Sequence, residues 1–341
     1  MPATLDLNHS LLDTLWVLWA AALVLIMQAG FLCLEAGTTR TKNAINVAMK
    51  NVADFAIAVS IFWLLGFGIM FGLSQHGVVG TNLFGWQLEA SSSWVITVFI
   101  FQAMFCATAA TIVAGAVAER MPFLAYLWTT FWIALLIYPL FGHWAWGGLL
   151  GGAEGWLGVL GFVDFAGATV VHSVGGWVAL AAVLCIGPRS GRFAHGKPPT
   201  AFPSGNLPLA MLGALFMILG WFGFNGGSTL AVNAQIPGIL ANTILGATGG
   251  ILSGMLMGLR TRRYADVMYA INGAIAGLVA VTAGAHALSM QAAFSIGAIS
   301  GVLMVLTSEW LLKKHVDDAV CAIPAHLVSG IWGTLALPWV A

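Results

Sequence analysis

The run Asp164-Phe-Ala-Gly-Ala-Thr-Val-Val-His172-Ser-Val-Gly-Gly-Trp has a partner near the end of the chain, Asp318-Ala-Val-Cys-Ala-Ile-Pro-Ala-His326-Leu-Val-Ser-Gly-Ile-Trp. In each copy a histidine follows the aspartate by eight residues, and a glycine follows four residues later. At about 1.5 Å per helical residue, each histidine lies roughly 12 Å along a helix from its aspartate. The half-thickness of a membrane's hydrocarbon core is roughly 15 Å. The repeat therefore predicts two histidines at one depth inside a membrane.

The composition excludes a soluble globular domain. Of 341 residues, 60% are hydrophobic and only 7% are charged, whereas a soluble domain has roughly 25% charged residues. Glycine is abundant, with 42 residues, and small residues let transmembrane helices pack closely. We predict an all-α membrane protein of about ten transmembrane helices, because a span needs roughly 20 mainly apolar residues. The candidate spans lie near 11–36, 43–73, 93–118, 122–141, 165–187, 207–226, 237–259, 265–283, 292–312 and 318–339.

Basic residues alternate with the predicted helices. The twelve Lys and Arg fall in every second connection or at its flanking helix ends, at 40, 42, 50, 120, 189, 192, 197, 260, 262, 263, 313 and 314. Because cytoplasmic loops carry the excess of Lys and Arg, we expect the N-terminus and Ala341 outside and the loop 188–200 inside. The two Asp-to-His copies then run in opposite directions. This predicts one domain, 1–341, with two inverted-topology repeats of five helices, about 11–187 and 207–339, around a central pore.

Several classes of function are disfavoured. The net charge is zero and the basic residues are dispersed, so no nucleic-acid partner is expected. The four cysteines lie inside predicted spans without CxxC spacing, which favours packing over metal binding. An intramembrane metalloenzyme would need a third ligand beside the two histidines, and the apolar helices offer none. We therefore expect no cofactor, no metal and no enzymatic activity.

The candidate functional residues each have a plainer alternative. A single membrane histidine usually bonds a neighbouring helix, but two symmetry-related histidines at one depth favour a pathway. For Asp164 and Asp318, helix capping is favoured over substrate contact. Aromatic residues cluster in three segments on the predicted outer side, 101–105, 143–146 just after the fourth span, and 221–228. Such rings either form an interfacial belt or attract a small cation. The other histidines, 9, 76, 143, 195, 286 and 315, fall in predicted loops or at span ends and receive no functional assignment.

Taken together, these motifs resemble the Amt/Mep/Rh family of ammonium transporters, in particular its Amt branch. The resemblance is carried by residues 27–37, 101–105, 164–172, 221–228 and 317–333, in matching order, spacing and sidedness. Two departures stand out. The stretch 283–286, after Thr282, lacks the family's usual proline. The family typically has an eleventh span leading to a cytoplasmic tail, whereas this sequence stops at Ala341.

The resemblance implies roles for individual residues. They form four groups: a cation-recruitment site of Trp146, Phe105 and Ser228, an aromatic gate of Phe105 and Phe224, paired pore histidines His172 and His326, and the near-site acid Asp164. Ammonium would dock outside, lose its proton, and pass the histidines as ammonia.

The resemblance also implies partners and a location. The substrate would be ammonium, with methylammonium as an analogue, and the protein would be a homotrimer in lipid, in a bacterial inner membrane. The alternative function is the membrane domain of an ammonium sensor, which binds ammonium without efficient transport and acts on a fused or partner signalling domain.

Overall fold

The computed structural model describes residues 9–194 and 197–340, whose main elements are ten apolar helices, α1 to α10. The N-terminal segment 1–8, residues 195–196 with His195, and Ala341 lie outside the described residues. The helices are Leu11–Thr38, Thr41–Phe71, Ser93–Ala116, Phe123–Trp146, Ala168–Ile186, Leu207–Gly227, Ile236–Arg262, Val267–Thr282, Met290–Lys313 and Ile323–Val340. Within the described ranges, nine are long and apolar enough to span a membrane, and α8 is an apolar helix of 16 residues. The prediction of an all-α membrane protein is confirmed.

Short elements fill the connections. Strands Ser74–Gln75 and Val79–Gly80 pair antiparallel after α2, with Ser74 opposite Gly80. Single-turn helices occupy Gly85–Leu88 and Trp156–Val159. These pieces pack against α2 and α4.

Helix α4 is longer than predicted. Its expected end near residue 141 is wrong, because the helix continues to Trp146, so His143 lies within α4 and not after it. The sequence placed this histidine in a loop or at a span end, where solvated or capping roles are common. In the structure both ring nitrogens have partners, Nδ1 with the Met70 carbonyl and Nε2 with the Ser74 hydroxyl, each at 2.8 Å. The imidazole therefore does not need solvent.

Four spans contain a π-helical turn. These turns are Phe62–Gly66 in α2, Ile133–Ile137 in α4, Ala168–Ser173 in α5 and Ile323–Val328 in α10. Such turns are rare and often occur at functional sites. Those in α5 and α10 contain His172 and His326, so the two related segments carry the same local distortion.

The two halves of the inverted repeat meet where related helices cross. Helix α1 packs along α6, its counterpart in the second repeat, and α5 meets α10. The contact between α7 and α8 requires glycine, since a Cβ on Gly277 would lie 2.0 Å from the Gly246 carbonyl oxygen. Backbones in direct contact are typical of membrane helix packing.

Four connections meet at one face in an ion-pair network. The Arg40 guanidinium, after α1, pairs with Glu119, after α3. The Arg189 guanidinium, after α5, pairs with Asp317, before α10, at 2.8 Å, and Arg192 lies 3.3 Å from the same carboxylate. Burial raises the pKa of Asp317, but its bonds with Arg189 outweigh burial and hold the pKa below its usual range.

Breaking this network should destabilise the fold. Asp317→Asn breaks the closer of the two ion pairs of the buried Arg189 and leaves it only Glu119, at 3.5 Å; breaking a buried ion pair typically costs about 3–5 kcal/mol. Because the folded-state pKa is lowered, the wild-type advantage is present above the unfolded value of about 3.9 and is lost as the pH falls through the folded value. Thermal unfolding in detergent at pH 7 and pH 3.5 measures both effects. Glu309→Gln is the control, because its pair with Arg262 is partly exposed and such pairs contribute about 0–1 kcal/mol. Equal unfolding temperatures for both variants would contradict this expectation.

Candidate functional site

The centre of the bundle contains a histidine pair. The Nδ1 atoms of His172 and His326 lie 3.2 Å apart, and both side chains are buried, at 0% and 3% exposure. A neutral imidazole donates through one nitrogen and accepts through the other. One Nδ1 therefore donates to the other, and the two Nε2 atoms differ, one being a donor and one an acceptor. The Nε2 atom of His172 is buried without a hydrogen-bond partner among the described residues.

Each histidine is positioned by the aspartate that precedes it. The Asp164 carboxylate accepts hydrogen bonds from the backbone N–H groups of residues 167, 168, 169 and 170, at 2.8–3.0 Å. The Asp318 carboxylate accepts from the N–H of Ile323 at 2.6 Å and of Val320 at 3.4 Å. These bonds satisfy donors that a helix start leaves free. Gly167, with φ at 104°, allows the turn that joins Asp164 to its helix.

Stacked aromatic rings lie above the histidine pair. The rings and the two histidines together are here called the column. The His172 ring stacks on Trp221, with centroids 5.0 Å apart and planes at 18°, and it contacts Phe224 at 5.2 Å. Phe224 stacks on Phe105 with centroids at 3.9 Å. Both phenylalanines are buried. The stacked pair therefore separates the histidines from the space beyond.

Beyond the phenylalanines lies a cavity of about 320 Å³, here called the outer cavity. Phe105, Trp146, Asp164 and Ser228 all line it, so the residues implied for the recruitment site come together. The Ser228 hydroxyl donates to the Phe224 carbonyl at 2.7 Å, which leaves its oxygen free to accept. The Trp146 indole N–H donates to the Asp164 carbonyl at 2.8 Å and fixes the position of the ring.

Sequence reasoning missed one contributor to this site, His286, and did not show that two others, Trp221 and Thr282, meet. Trp221 lies against His172, and its indole N–H donates to the Thr282 hydroxyl at 2.8 Å. His286 lines the outer cavity, although its position in a predicted loop suggested a solvated residue. The one signal at His286 was the departure of 283–286 from the family pattern. Pairing Trp221 with Thr282 requires knowing how α6 packs on α8.

The remaining polar groups do not assemble a metal site. Across the two described ranges, no group of three or more His, Cys, Asp and Glu side chains is close enough to share a metal ion. The cysteines at 33, 106, 185 and 321 are free thiols.

The fold and the column define a class of protein, an integral membrane protein with inverted helical repeats around a central pore. A model of the Ammonium Transporter Family matches residues 15–341, and the chain belongs to this family. It is 49% identical to protein sll0537 of Synechocystis sp. over 96% of this chain. It is 42% identical to Ammonium transporter Amt2 of Archaeoglobus fulgidus over 98% of this chain. The chain spans 61% of the length of the first relative and 73% of the second.

A solved structure has the same fold as this chain. The chain superposes on a protein named Sensor Amt Protein with a TM-score of 0.94 and 41% sequence identity, covering 97% of this chain and 82% of that one. The family resemblance and the fold predicted from the sequence are therefore confirmed.

Proposed function

We propose that this chain moves ammonium, as ammonia and a proton, through the column formed by the outer cavity, Phe105 and Phe224, and the histidine pair. The observation that carries the proposal is the buried 3.2 Å contact between His172 and His326, which lies directly below a stacked aromatic pair. Membership of the ammonium transporter family supports the choice of substrate.

The outer cavity would capture the cation. Ring faces attract cations when water is partly excluded, and Trp146 and Phe105 provide such faces. The Ser228 oxygen, whose own proton is engaged with Phe224, accepts one N–H of ammonium. The Asp164 carboxylate adds negative charge nearby, although backbone N–H groups engage both of its oxygens.

Deprotonation removes the main obstacle to passage. A desolvated charge inside an apolar core is costly, whereas ammonia is neutral. Once Phe105 and Phe224 separate, ammonia meets the two Nε2 atoms of the histidines. One of them accepts and the other donates, so both can hydrogen-bond to ammonia. The shared Nδ1 proton gives the pair a route by which a proton can follow.

The alternative is an ammonium-sensing membrane domain, and one observation favours it. The solved structure with a TM-score of 0.94 bears the name Sensor Amt Protein. In this case the outer cavity and the histidines would hold ammonium, and its occupancy would act on a fused or partner signalling domain without efficient transport.

The exposed surface of the described residues indicates what surrounds the protein. Large apolar side chains such as Trp128, Leu215, Leu256 and Leu335 are more than 60% exposed, which fits contact with lipid. The network that contains Arg40, Arg189 and Asp317 would face the cytoplasm, which puts the N-terminus outside. A single domain, a homotrimer and a bacterial inner membrane complete the proposal by family resemblance.

The wild-type protein distinguishes the two functions. Purified protein in liposomes is exposed to an ammonium pulse while charge movement is recorded, and ammonium binding is measured on the same preparation. Current together with binding supports transport. Binding without current supports the sensor. The absence of both would overturn the proposed function.

Trp146→Leu should weaken ammonium binding by about 0.5–2 kcal/mol, the range for a cation on an aromatic face. Trp144→Leu is a matched control. Trp144 is two residues away, and its indole N–H also donates to a backbone carbonyl, that of Val78, at 3.0 Å, yet it does not line the outer cavity. Titration of both variants with ammonium checks the difference. An equal loss of ammonium affinity in the two variants would show that Trp146 is not part of the recruitment site.

A further inference from the structure

A histidine lies in the wall of the outer cavity where the cation would be captured. His286 occupies the turn between α8 and α9, and it lines the cavity with Phe105, Trp146, Asp164 and Ser228. Among the described residues that line this space, Asp164 and His286 are the titratable ones. A group that gains a positive charge therefore shares the cavity proposed to hold a positively charged substrate.

The turn that carries His286 is held firmly. The Asn242 amide donates to the Ala285 carbonyl at 3.0 Å and to the Leu288 carbonyl at 2.8 Å. The Phe165 N–H donates to the Ala283 carbonyl at 2.9 Å, which joins the turn to the segment that carries Asp164. The His286 ring packs on Phe165 with centroids 4.4 Å apart. The imidazole is a fixed part of the cavity wall.

The structure favours the neutral form of His286 near pH 7. Its Nδ1 atom is buried and lacks a hydrogen-bond partner in the part of the chain that the structure describes. An imidazolium has N–H donors on both nitrogens, so protonation would leave one donor buried and unsatisfied. Burial accordingly lowers the pKa of His286 below its ordinary value.

Few charged groups near His286 oppose or assist its protonation. The one carboxylate among the cavity residues, Asp164, is engaged by four backbone N–H groups. The lining residues of α3 and of the α6 end, including Gln102 and Ser228, are uncharged, as is Asn242 of α7, which holds the turn. A proton on His286 would therefore add its charge to the cavity nearly uncompensated.

We propose that His286 makes capture of ammonium depend on external pH: the neutral imidazole admits the cation, and the imidazolium competes with it for the outer cavity. The inference rests on the proposed capture of ammonium in this cavity and holds for a transporter or a sensor. Two unit charges within a cavity of about 320 Å³ repel each other enough to change affinity on the order of tenfold, after screening by salt.

The experiment measures ammonium binding to the full chain at fixed ionic strength between pH 7.5 and pH 5. Ammonium stays protonated over this whole range, so its own titration does not contribute. For wild type we expect the apparent Kd to rise on the order of tenfold as the pH falls below the ordinary histidine pKa of about 6.5, because burial lowers the pKa of His286. His286→Asn should bind ammonium with a Kd that no longer changes with pH.

Two further variants make the test specific. His286→Lys carries a permanent charge and should show the weaker affinity at every pH. His76→Asn is the matched control, because His76 is exposed and sits in a connection outside the cavity, so its pH profile should match wild type. If the profile of His286→Asn superimposes on that of wild type, or if His286→Lys binds as wild type does at pH 7.5, the inference is wrong. Wild type that fails to bind ammonium at pH 7.5 would instead overturn the proposed function itself.

Discussion

Ammonium-evoked charge movement is expected to disappear from reconstituted protein when either His172 or His326 is replaced by alanine. The Nδ1 atoms share one hydrogen bond at 3.2 Å, so each substitution leaves the partner imidazole buried and short of that bond. It also interrupts any route for a proton between the two sides. We expect a loss of current on the order of 100-fold, the lower end of what a positioned proton-transfer group contributes.

Neutral passage should respond differently from current in the same variants. Removing an imidazole widens an apolar column without adding charge, so ammonia flux measured by an internal pH dye should persist in part. His9→Ala provides a control, since the partly buried His9 stacks on Trp94 and is not part of the column. Folding is checked by thermal unfolding and by size-exclusion chromatography. Undiminished current in both well-folded pore variants would show that the histidine pair is not the conducting element.

The same variants bear on the sensor alternative. A sensing domain has no current to lose, and its histidine variants should change ammonium occupancy or the output of the signalling domain. Binding measured beside current therefore separates loss of conduction from loss of the site.

Much of the fold could be predicted because membrane insertion constrains the sequence strongly. Spans of about 20 apolar residues and alternating basic connections are visible without any packing information. The inverted repeat was visible because Asp164 and Asp318 stand at equal distances from their histidines. The end of α4 was missed, since the partners of His143 come from Met70 and Ser74, about 70 residues away along the chain.

The residues of the site could be predicted only where a single sequence segment carries a recognisable pattern. Aromatic clusters at 101–105, 143–146 and 221–228 were expected to meet at the outer side, and the outer cavity contains residues from each of them. Apart from the departure of 283–286 from the family pattern, His286 carried no signal, because nothing in an isolated loop histidine shows that it faces Phe165. The π-helical turns in α2, α4, α5 and α10 were also missed. The roles of the site residues in transport stay predictions.

Asp164→Asn is expected to destabilise the protein more than any other single substitution near the outer cavity. The carboxylate accepts four backbone hydrogen bonds through two oxygens. An amide has one oxygen, and its NH₂ group would face backbone N–H donors. Two bonds are thus lost, and a hydrogen bond to a charged group contributes about 1.5–3 kcal/mol, which gives a loss of about 3–6 kcal/mol.

Function should fail together with stability in this variant, because Asp164 fixes two parts of the site. Its carboxylate holds the start of the turn that carries His172, and its backbone carbonyl accepts the Trp146 indole at 2.8 Å. Asp318→Asn is the matched control, since Asp318 accepts one short bond at 2.6 Å and one long bond at 3.4 Å and should lose less. Thermal unfolding in detergent and ammonium binding are measured on both variants. An Asp164→Asn protein that unfolds no earlier than Asp318→Asn and binds ammonium as wild type does would show that the carboxylate does not hold this site together.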